Sequence, residues 1–168
     1  MIYLIGIFIV IIFLMFGFFF LKYNKLKDIN NSLDIVKDNI NILLTEKLKL
    51  VEVLLNDIKN DSIKEKFSYN NDLSIYEREN TLFLVSFDIN KFVKDENIKN
   101  KKILQKIKDL NSLEENLDGL KDFYNANVLN YNEIFLKRFL NKIFRRLKFE
   151  DYKSFKIRKL EEYEIFKN

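Results

Sequence analysis

The chain has no cysteine, histidine, proline or tryptophan, and only three glycines among its 168 residues. Without cysteine it cannot form disulfide bonds, thiolate metal sites or a cysteine nucleophile. Without histidine it lacks the commonest general base and the commonest transition-metal ligand. The scarcity of glycine and proline disfavours turn-rich β-sandwiches, barrels and glycine-cradled nucleotide sites. These absences leave mainly helical folds, and they predict a protein that is not an enzyme and holds no cofactor or metal.

Charge is also missing from the start of the chain, since all 29 basic and 25 acidic residues follow Leu21. Residues 2–21 are apolar apart from the phenol of Tyr3. A helix of this length covers about 30 Å, which matches the hydrocarbon core of a bilayer. The segment has neither the basic start nor the small-residue cleavage site of a secretory signal. It therefore predicts an uncleaved transmembrane anchor over residues 1–21.

The residues that flank the apolar segment predict its orientation. Lys22, Lys25 and Lys27 follow its C-terminal end, whereas only the α-amino group flanks the other end. Lysines beside a span are retained on the cytoplasmic side. We therefore expect a cell-membrane protein that crosses once, with its N-terminus outside and its C-terminal domain in the cytoplasm.

Beyond the span, apolar residues recur at helical spacing in two long stretches. The first contains no glycine or proline, so we expect one helix, continuous with the span or closely hinged to it. The second has the same length. The two stripes comprise Leu26, Ile29, Leu33, Val36, Ile40, Leu44, Leu48, Val51, Leu55 and Ile58, and then Ile103, Ile107, Leu110, Leu113, Leu117, Leu120, Tyr124, Val128, Tyr131 and Phe135.

Shorter elements lie between and after these stretches. Polar residues cluster over residues 60–72, which predicts a loop. Ser74 and Glu77 fit a capping box, so a helix should begin there and run towards Val93. Residues 81–87 have the β-branched and aromatic character of a strand, but no second strand is predicted to pair with them. A further helix is expected from about Phe139 to Phe149.

Two long helices with apolar stripes cannot bury those stripes alone. The sequence therefore predicts an all-α fold, in which an N-terminal transmembrane helix is followed by an elongated antiparallel helical bundle of the four-helix-bundle type. The expected domains are the anchor at residues 1–21, the bundle at residues 22–150 and a C-terminal tail at residues 151–168.

Two Tyr-Asn pairs and their upstream residues resemble the LemA family of membrane-anchored helical proteins. The resemblance implies a single-span protein with a soluble helical bundle and no enzymatic activity. It also extends to the Tyr-Asn just after the span and to a basic residue at Lys47. The matching positions are Tyr23, Asn24, Glu114, Leu117, Lys121, Tyr124, Asn125, Val128, Tyr131 and Asn132.

The paired tyrosines, Tyr124 and Tyr131, lie on one helix face, two turns apart, within the apolar stripe. We expect their rings to fill the bundle interior, while Asn125 and Asn132 hydrogen-bond to a neighbouring helix. The alternative is a surface for a ligand or partner. Glu114 has two interpretations, since it is either a buried partner of Lys47 or Lys121 or an ordinary surface charge.

Residues 135–149 interleave phenylalanine and leucine with basic residues and contain no acidic residue. This pattern is typical of a helix that contacts anionic lipid headgroups, although a solvated basic face over an ordinary core face has the same pattern. A net charge of only +4 argues against nucleic acid as a partner. The candidate lipid contacts are Lys137, Arg138, Lys142, Arg145, Arg146 and Lys148.

These features favour a LemA-like, single-pass protein whose bundle acts as a binding or scaffolding module at the lipid bilayer, with a protein partner or a second copy of itself. Two alternatives remain open at this point. In one, the helix after the span pairs with another chain as a coiled-coil subunit of a membrane assembly. In the other, the basic helix remodels the membrane.

Overall fold

The computed structural model describes residues 2–67, 72–135, 138–158, 162 and 164–166. Within these ranges every regular element is helical, which confirms the all-α prediction. The elements are α1 (Ile2–Ile58), α2 (Asp61–Lys66), α3 (Ile75–Asp95), α4 (Lys101–Phe135), α5 (Arg138–Arg146) and a 3₁₀ turn at Glu164–Phe166.

The first helix, α1, is continuous for 57 residues and joins the apolar segment directly to the first polar stretch. The side chains of residues 3–18 are all exposed, so this part of the helix is not covered by the rest of the described chain. Its most apolar window has a mean hydropathy of 3.1. The helix is long and apolar enough to cross a membrane.

The predicted loop after Asn60 contains a short helix, α2. Asn60 is its N-cap, because the backbone N–H of Ile63 donates to Asn60 Oδ1 at 3.1 Å. Asp61 lies in the first turn, where a negative charge stabilises the helix dipole, and Ile63 is buried. A local cap and one buried side chain therefore suffice to form a helix within a polar stretch. Residues 68–71 of the predicted loop lie outside the described ranges.

The third helix, α3, begins at the predicted capping box. The backbone N–H of Glu77 donates to Ser74 Oγ at 3.4 Å, and the backbone N–H of Ser74 donates to Glu77 Oε2 at 2.8 Å. Residues 81–87, with their strand-like composition, lie inside this helix. Leu82 and Ile89, seven residues apart, are both buried, so helical packing decides the conformation here.

The last helix, α5, ends at Arg146, three residues before the predicted end. Lys148 adopts a left-handed conformation, with φ of 64°. The N–H of Phe149 donates to the carbonyl of Phe144 at 3.1 Å, and the N–H of Lys148 donates to that of Arg145 at 3.1 Å. This is a Schellman cap, which terminates the helix even though its left-handed position holds lysine and not glycine.

The described chain divides into two compact units, each built from two separate segments. The first unit comprises Met1–Ile35 and Tyr124–Ser154, and the second comprises Val36–Phe123 and Phe155–Asn168. We call them the anchor unit and the bundle unit.

In the bundle unit, α1 and α4 run antiparallel. Lys47 of α1 pairs with Glu114 of α4, and Asp57 Oδ2 of α1 lies 2.6 Å from Lys106 Nζ of α4. Residue numbers thus rise along α1 while those of their partners fall along α4. The third helix, α3, completes the core. The buried apolar residues of these helices include Ile40, Leu44, Val51 and Leu54, then Leu82, Phe83 and Ile89, and then Ile107, Leu110 and Leu117.

The predicted apolar stripes were wrong by one position at three places. Leu48, Leu113 and Leu120 are only half-buried, whereas the charged residues beside them, Lys47, Glu114 and Lys121, are at most 2% exposed. Successive side chains of a helix point about 100° apart. A stripe shifted by one position therefore predicts the leucine as buried in place of its charged neighbour. The three charges therefore lie inside the bundle.

The segment predicted as a C-terminal tail contributes to the core of the bundle unit. Phe155 is 2% exposed and its ring lies 4.7 Å from that of Tyr76, centroid to centroid. Arg158 is also buried. Further along, the side chain of Asn111 donates to the carbonyl of Phe166 at 3.0 Å. These residues cover one side of α3.

Candidate functional site

The most unusual feature of the bundle unit is a network of buried charges. It begins at Lys47 of α1, which is 0% exposed and pairs with Glu114 of α4, itself 2% exposed. Burial is the largest influence on Lys47 and lowers its pKa, against the opposing charge and hydrogen bond of Glu114. Of the two interpretations of Glu114, the structure confirms the buried partner of Lys47.

The second carboxylate of the network is Glu79 of α3. Its Oε1 accepts from Lys121 Nζ at 2.9 Å, and its Oε2 accepts from Arg158 at 3.1 Å. Burial alone would raise the pKa of Glu79, but the hydrogen bond from Arg158 and the charge of Lys121 outweigh it and lower the pKa. Glu79 is therefore a buried, ionised carboxylate held between two cations.

Arg158 closes the network from the C-terminal segment. Its guanidinium carbon lies 3.6 Å from the centroid of the Phe83 ring, a cation–π contact, while two of its nitrogens face Glu79. Arginine suits this position because its planar group can stack and bind a carboxylate with two nitrogens at once.

The network thus consists of two groups, the pair of Lys47 with Glu114 and the set of Lys121 and Arg158 with Glu79. The charges of Glu79 and Lys121 also act on Lys47. Burying an unpaired charge is costly, so the helices must take the register that brings these partners together. Both carboxylates are paired with cations, and Oε1 of Glu114 accepts no hydrogen bond from the residues that the structure describes. Among the residues that the structure describes, no group of acidic side chains is arranged to hold a metal ion.

An open cavity of about 840 Å³ lies in the bundle unit, at the turn between α3 and α4. Its polar lining consists of amide and ammonium side chains, namely Asn90, Asn97, Asn111, Gln105, Lys94, Lys99, Lys101 and Lys108. Among the residues that the structure describes, its lining contains no carboxylate or hydroxyl side chain.

The motif tyrosines lie in the anchor unit, and both are fully buried, as predicted. The ring of Tyr131 stacks on Phe135 at 5.4 Å and meets Tyr152 edge-on at 5.0 Å. The Tyr152 hydroxyl lies 2.9 Å from Asn30 Oδ1 and 3.0 Å from Asp34 Oδ1. The ring of Tyr131 therefore connects α4 to Tyr152, which lies after α5. The Tyr152 hydroxyl in turn connects this segment to α1.

Both phenols of this contact resist ionisation. Burial, followed by the charge of Asp151, raises the pKa of Tyr131 to about 12. Burial and the neighbouring Asp34 carboxylate also raise the pKa of Tyr152. Both hydroxyls are therefore protonated at physiological pH, and that of Tyr152 hydrogen-bonds to Asn30 and Asp34 of α1.

The remaining motif residues are less deeply placed. Asn125 is 8% exposed, whereas Tyr23, Asn24 and Asn132 are half-buried. Glu114 and Lys121 belong to the bundle unit, whereas the Tyr-Asn pairs belong to the anchor unit.

Sequence reasoning missed Glu79 and Arg158 in the network and Tyr152 in the aromatic contact. A signal for Glu79 was present, since it shares a seven-residue series with the buried residues Ser86 and Val93. Glu114 and Lys121 likewise fall in one series with Ile107, Val128 and Phe135. Arg158 and Tyr152 lie outside helices, where no periodicity indicates which side chain is buried.

Residues 138–146 of the basic segment form α5, and among the described side chains of this helix Phe144 is buried. Lys142, Arg145, Arg146 and Lys148 are exposed. Arg145 is engaged, because its guanidinium donates to Asn141 Oδ1 and to Asp151 Oδ2, both at 2.9 Å. Of the other predicted lipid contacts, Lys137 and the side chain of Arg138 lie outside what the structure describes.

Comparison with known proteins adds no assignment, since the chain matches no protein-family model, no curated protein and no solved structure. The resemblance to the LemA family therefore depends only on the residues quoted above.

Proposed function

We propose that this chain is a LemA-like, single-pass membrane protein whose helical bundle is a non-enzymatic binding or scaffolding module at the membrane. The observation that carries the proposal is the continuity of α1. The helix runs without a break from an exposed apolar segment over residues 3–21 into residues that pack inside the bundle unit. The apolar segment and part of the folded module thus belong to one continuous helix.

The burial of α1 supports a bundle over a coiled-coil subunit. In the bundle unit, Ile40, Leu44 and Val51 are 0% exposed although only one chain is present. A coiled-coil subunit would leave such a stripe uncovered until its partner arrived. The ion pair of Lys47 with Glu114 also fills the inner face of α1 from within the same chain.

The chemistry of the buried polar groups supports a structural and binding role over catalysis. Both network carboxylates are paired with cations, and the Tyr131 and Tyr152 phenols have raised pKa values. Catalytic acids and bases are instead accessible and have pKa values close to the working pH. We propose a protein partner or a second copy of the chain as the target of the module.

Alkaline carbonate extraction tests the anchor in the full-length chain. We expect the protein to stay in the membrane pellet after extraction, because the apolar helix is embedded in lipid and not merely adsorbed. Release into the supernatant would overturn the proposal. In detergent, circular dichroism should show that the chain stays helical on dilution whether or not a second copy is bound, whereas a dimer that unfolds on dilution would favour the coiled-coil alternative.

The proposed orientation places the bundle in the cytoplasm, on the side of Lys22, Lys25 and Lys27. Asn116→Cys supplies a single thiol at an exposed position of α4 in a chain without cysteine. An impermeant thiol reagent should label it only after the cells are permeabilised. Tyr3→Cys, at the outer end of the span, should be labelled in intact cells. Labelling of Asn116→Cys in intact cells would contradict the orientation.

A further inference from the structure

An aromatic cluster ties α5 to the end of the apolar segment within the anchor unit. Phe144 is 0% exposed, and its ring stacks on Phe19 with a centroid distance of 5.7 Å. Phe149 meets Tyr23 edge-on at 5.8 Å and also contacts Phe144 at 5.8 Å. The Schellman cap at the end of α5 brings Phe149 back onto Phe144. Four rings therefore determine where α5 lies along α1.

That position coincides with the end of the uncharged segment. Within residues 3–21, Phe19 alone is half-buried and the other side chains are exposed. Lys22, the first charged residue, lies one turn further along, with its ammonium 5.5 Å from the centroid of the Phe18 ring. A span ends where such aromatic and lysine residues reach the membrane–water interface. The end of α5 is thus held at the depth of the lipid headgroups.

The exposed cations of this region differ in whether they have a partner. Arg145 is paired with Asp151. For Lys142, Arg146 and Lys148, no ion pair is found among the residues that the structure describes. Lys142 and Arg146 are four residues apart on α5 and share the face opposite Phe144.

We infer that Lys142, Arg146 and Lys148 form a binding surface for the phosphate groups of anionic lipids, held at headgroup depth by the aromatic cluster. This inference rests on the proposed membrane location and names a partner for the anchor unit. Continuity with the apolar segment favours a bilayer over any soluble anion. Lys22, Lys25 and Lys27 add positive charge on the same turns of α1, and cations near an anionic surface are attracted to it.

The test measures lipid selectivity at the surface of the full-length chain in bilayers. The chain is reconstituted in phosphatidylcholine with a trace of spin-labelled phosphatidylglycerol or spin-labelled phosphatidylcholine. The motionally restricted fraction of each label gives the ratio of the two association constants. One cation beside an anionic surface changes binding about five-fold. We expect a ratio above one, which falls several-fold towards one in the triple variant Lys142→Gln, Arg146→Gln, Lys148→Gln and keeps only the contribution of Lys22, Lys25 and Lys27.

The matched control removes the same charge from the bundle unit, at the exposed positions Lys49, Lys91 and Lys108. The variant Lys49→Gln, Lys91→Gln, Lys108→Gln should keep the ratio of the unaltered chain. An equal fall in both variants would mean that net charge, and not this surface, sets the selectivity, and it would overturn the inference. An unaltered chain with a ratio near one would overturn it as well.

Two further readouts separate the causes of failure. Raising the salt concentration should lower the ratio of the unaltered chain without any substitution, because the attraction is screened, and a ratio insensitive to salt would contradict the inference. If both spin-labelled lipids have a restricted fraction but their association constants are equal, only the inferred phosphate-binding surface is overturned. Absence of any restricted lipid would overturn the membrane location and the surface together.

Discussion

At the scale of single residues, the bundle unit depends on charges placed where apolar side chains would ordinarily lie. Lys47 and Glu114 are almost completely buried and pair with each other. Such a pair contributes little net stability compared with apolar residues of similar volume, but either member without the other is a buried, uncompensated charge. Replacing one member should therefore lower the stability of the chain more than replacing both.

Glu114→Gln should destabilise the full-length chain by about 3 to 5 kcal/mol, because it leaves Lys47 buried without a counter-charge. The double variant Lys47→Met, Glu114→Leu should recover most of that loss. Chemical denaturation in detergent, followed by circular dichroism, measures both. Glu115→Gln changes the neighbouring exposed carboxylate and should stay within about 0.5 kcal/mol of the parent. Equal stability of Glu114→Gln and Glu115→Gln would show that the pair is not buried.

Tyr131 gives a prediction for alkaline pH. Its pKa is raised from 10.0 to about 12 in the folded chain, so the folded state keeps a proton that the unfolded state loses between these values. The stabilisation is complete below pH 10 and is lost as the pH rises towards 12, by about 3 kcal/mol at most. Tyr131→Phe should lose less stability over this interval than the parent. A parallel loss in both chains, measured by denaturation at pH 9 and pH 11.5, would contradict this account.

At the scale of elements, helix ends are determined by local chemistry. The helix α1 ends at Ile58, and Lys59 follows with φ of 53°, a left-handed conformation that glycine adopts without steric cost. Lys148 has the same role after α5. In a chain with three glycines, lysine takes positions that glycine commonly occupies.

Lys59→Gly should therefore stabilise the chain by about 0.5 to 1 kcal/mol, since it relieves the left-handed strain at the end of α1. Glu65→Gly, at an exposed position inside α2, should destabilise it by about 1 kcal/mol. Thermal unfolding of the two variants should shift in opposite directions. A shift of both in the same direction would mean that the backbone at Lys59 is not left-handed in solution.

At the scale of the whole molecule, the C-terminal segment is part of the folded bundle unit. Arg158 binds Glu79 and covers Phe83, and Phe155 packs on Tyr76. Because Glu79 lies on α3, the segment affects how the three helices of this unit hold together.

Arg158→Ala should destabilise the chain by about 2 to 4 kcal/mol, because Glu79 would retain only Lys121 as a partner and Phe83 would lose its cover. Lys156→Ala alters an exposed position of the same segment and should be nearly neutral. Limited proteolysis after residue 150 should accelerate only in Arg158→Ala. If both variants were cut at the parental rate and unfolded at the parental midpoint, the segment would not be docked.

Much of the fold could be predicted because its signals are local. Apolar spacing over residues 26–58 and 103–135 indicates helices, and the capping box at Ser74 marks the start of α3. The uncharged segment before Lys22 is long enough for a bilayer. The candidate site was less predictable. Tyr124 and Tyr131 were placed in the interior correctly, but their stripe was extended through Leu113 and Leu120 when the buried positions are Glu114 and Lys121.

The sequence by itself therefore determined a helical chain with one apolar segment suited to a membrane, since these properties depend on neighbouring residues and on composition. The tertiary structure alone decided which buried charges pair with one another. Lys47 can enter the core only because Glu114 approaches from α4, and Glu79 only because Lys121 and Arg158 approach from two other segments. A charge is accommodated in the interior by partners distant in the chain, and no local pattern states which partners will meet.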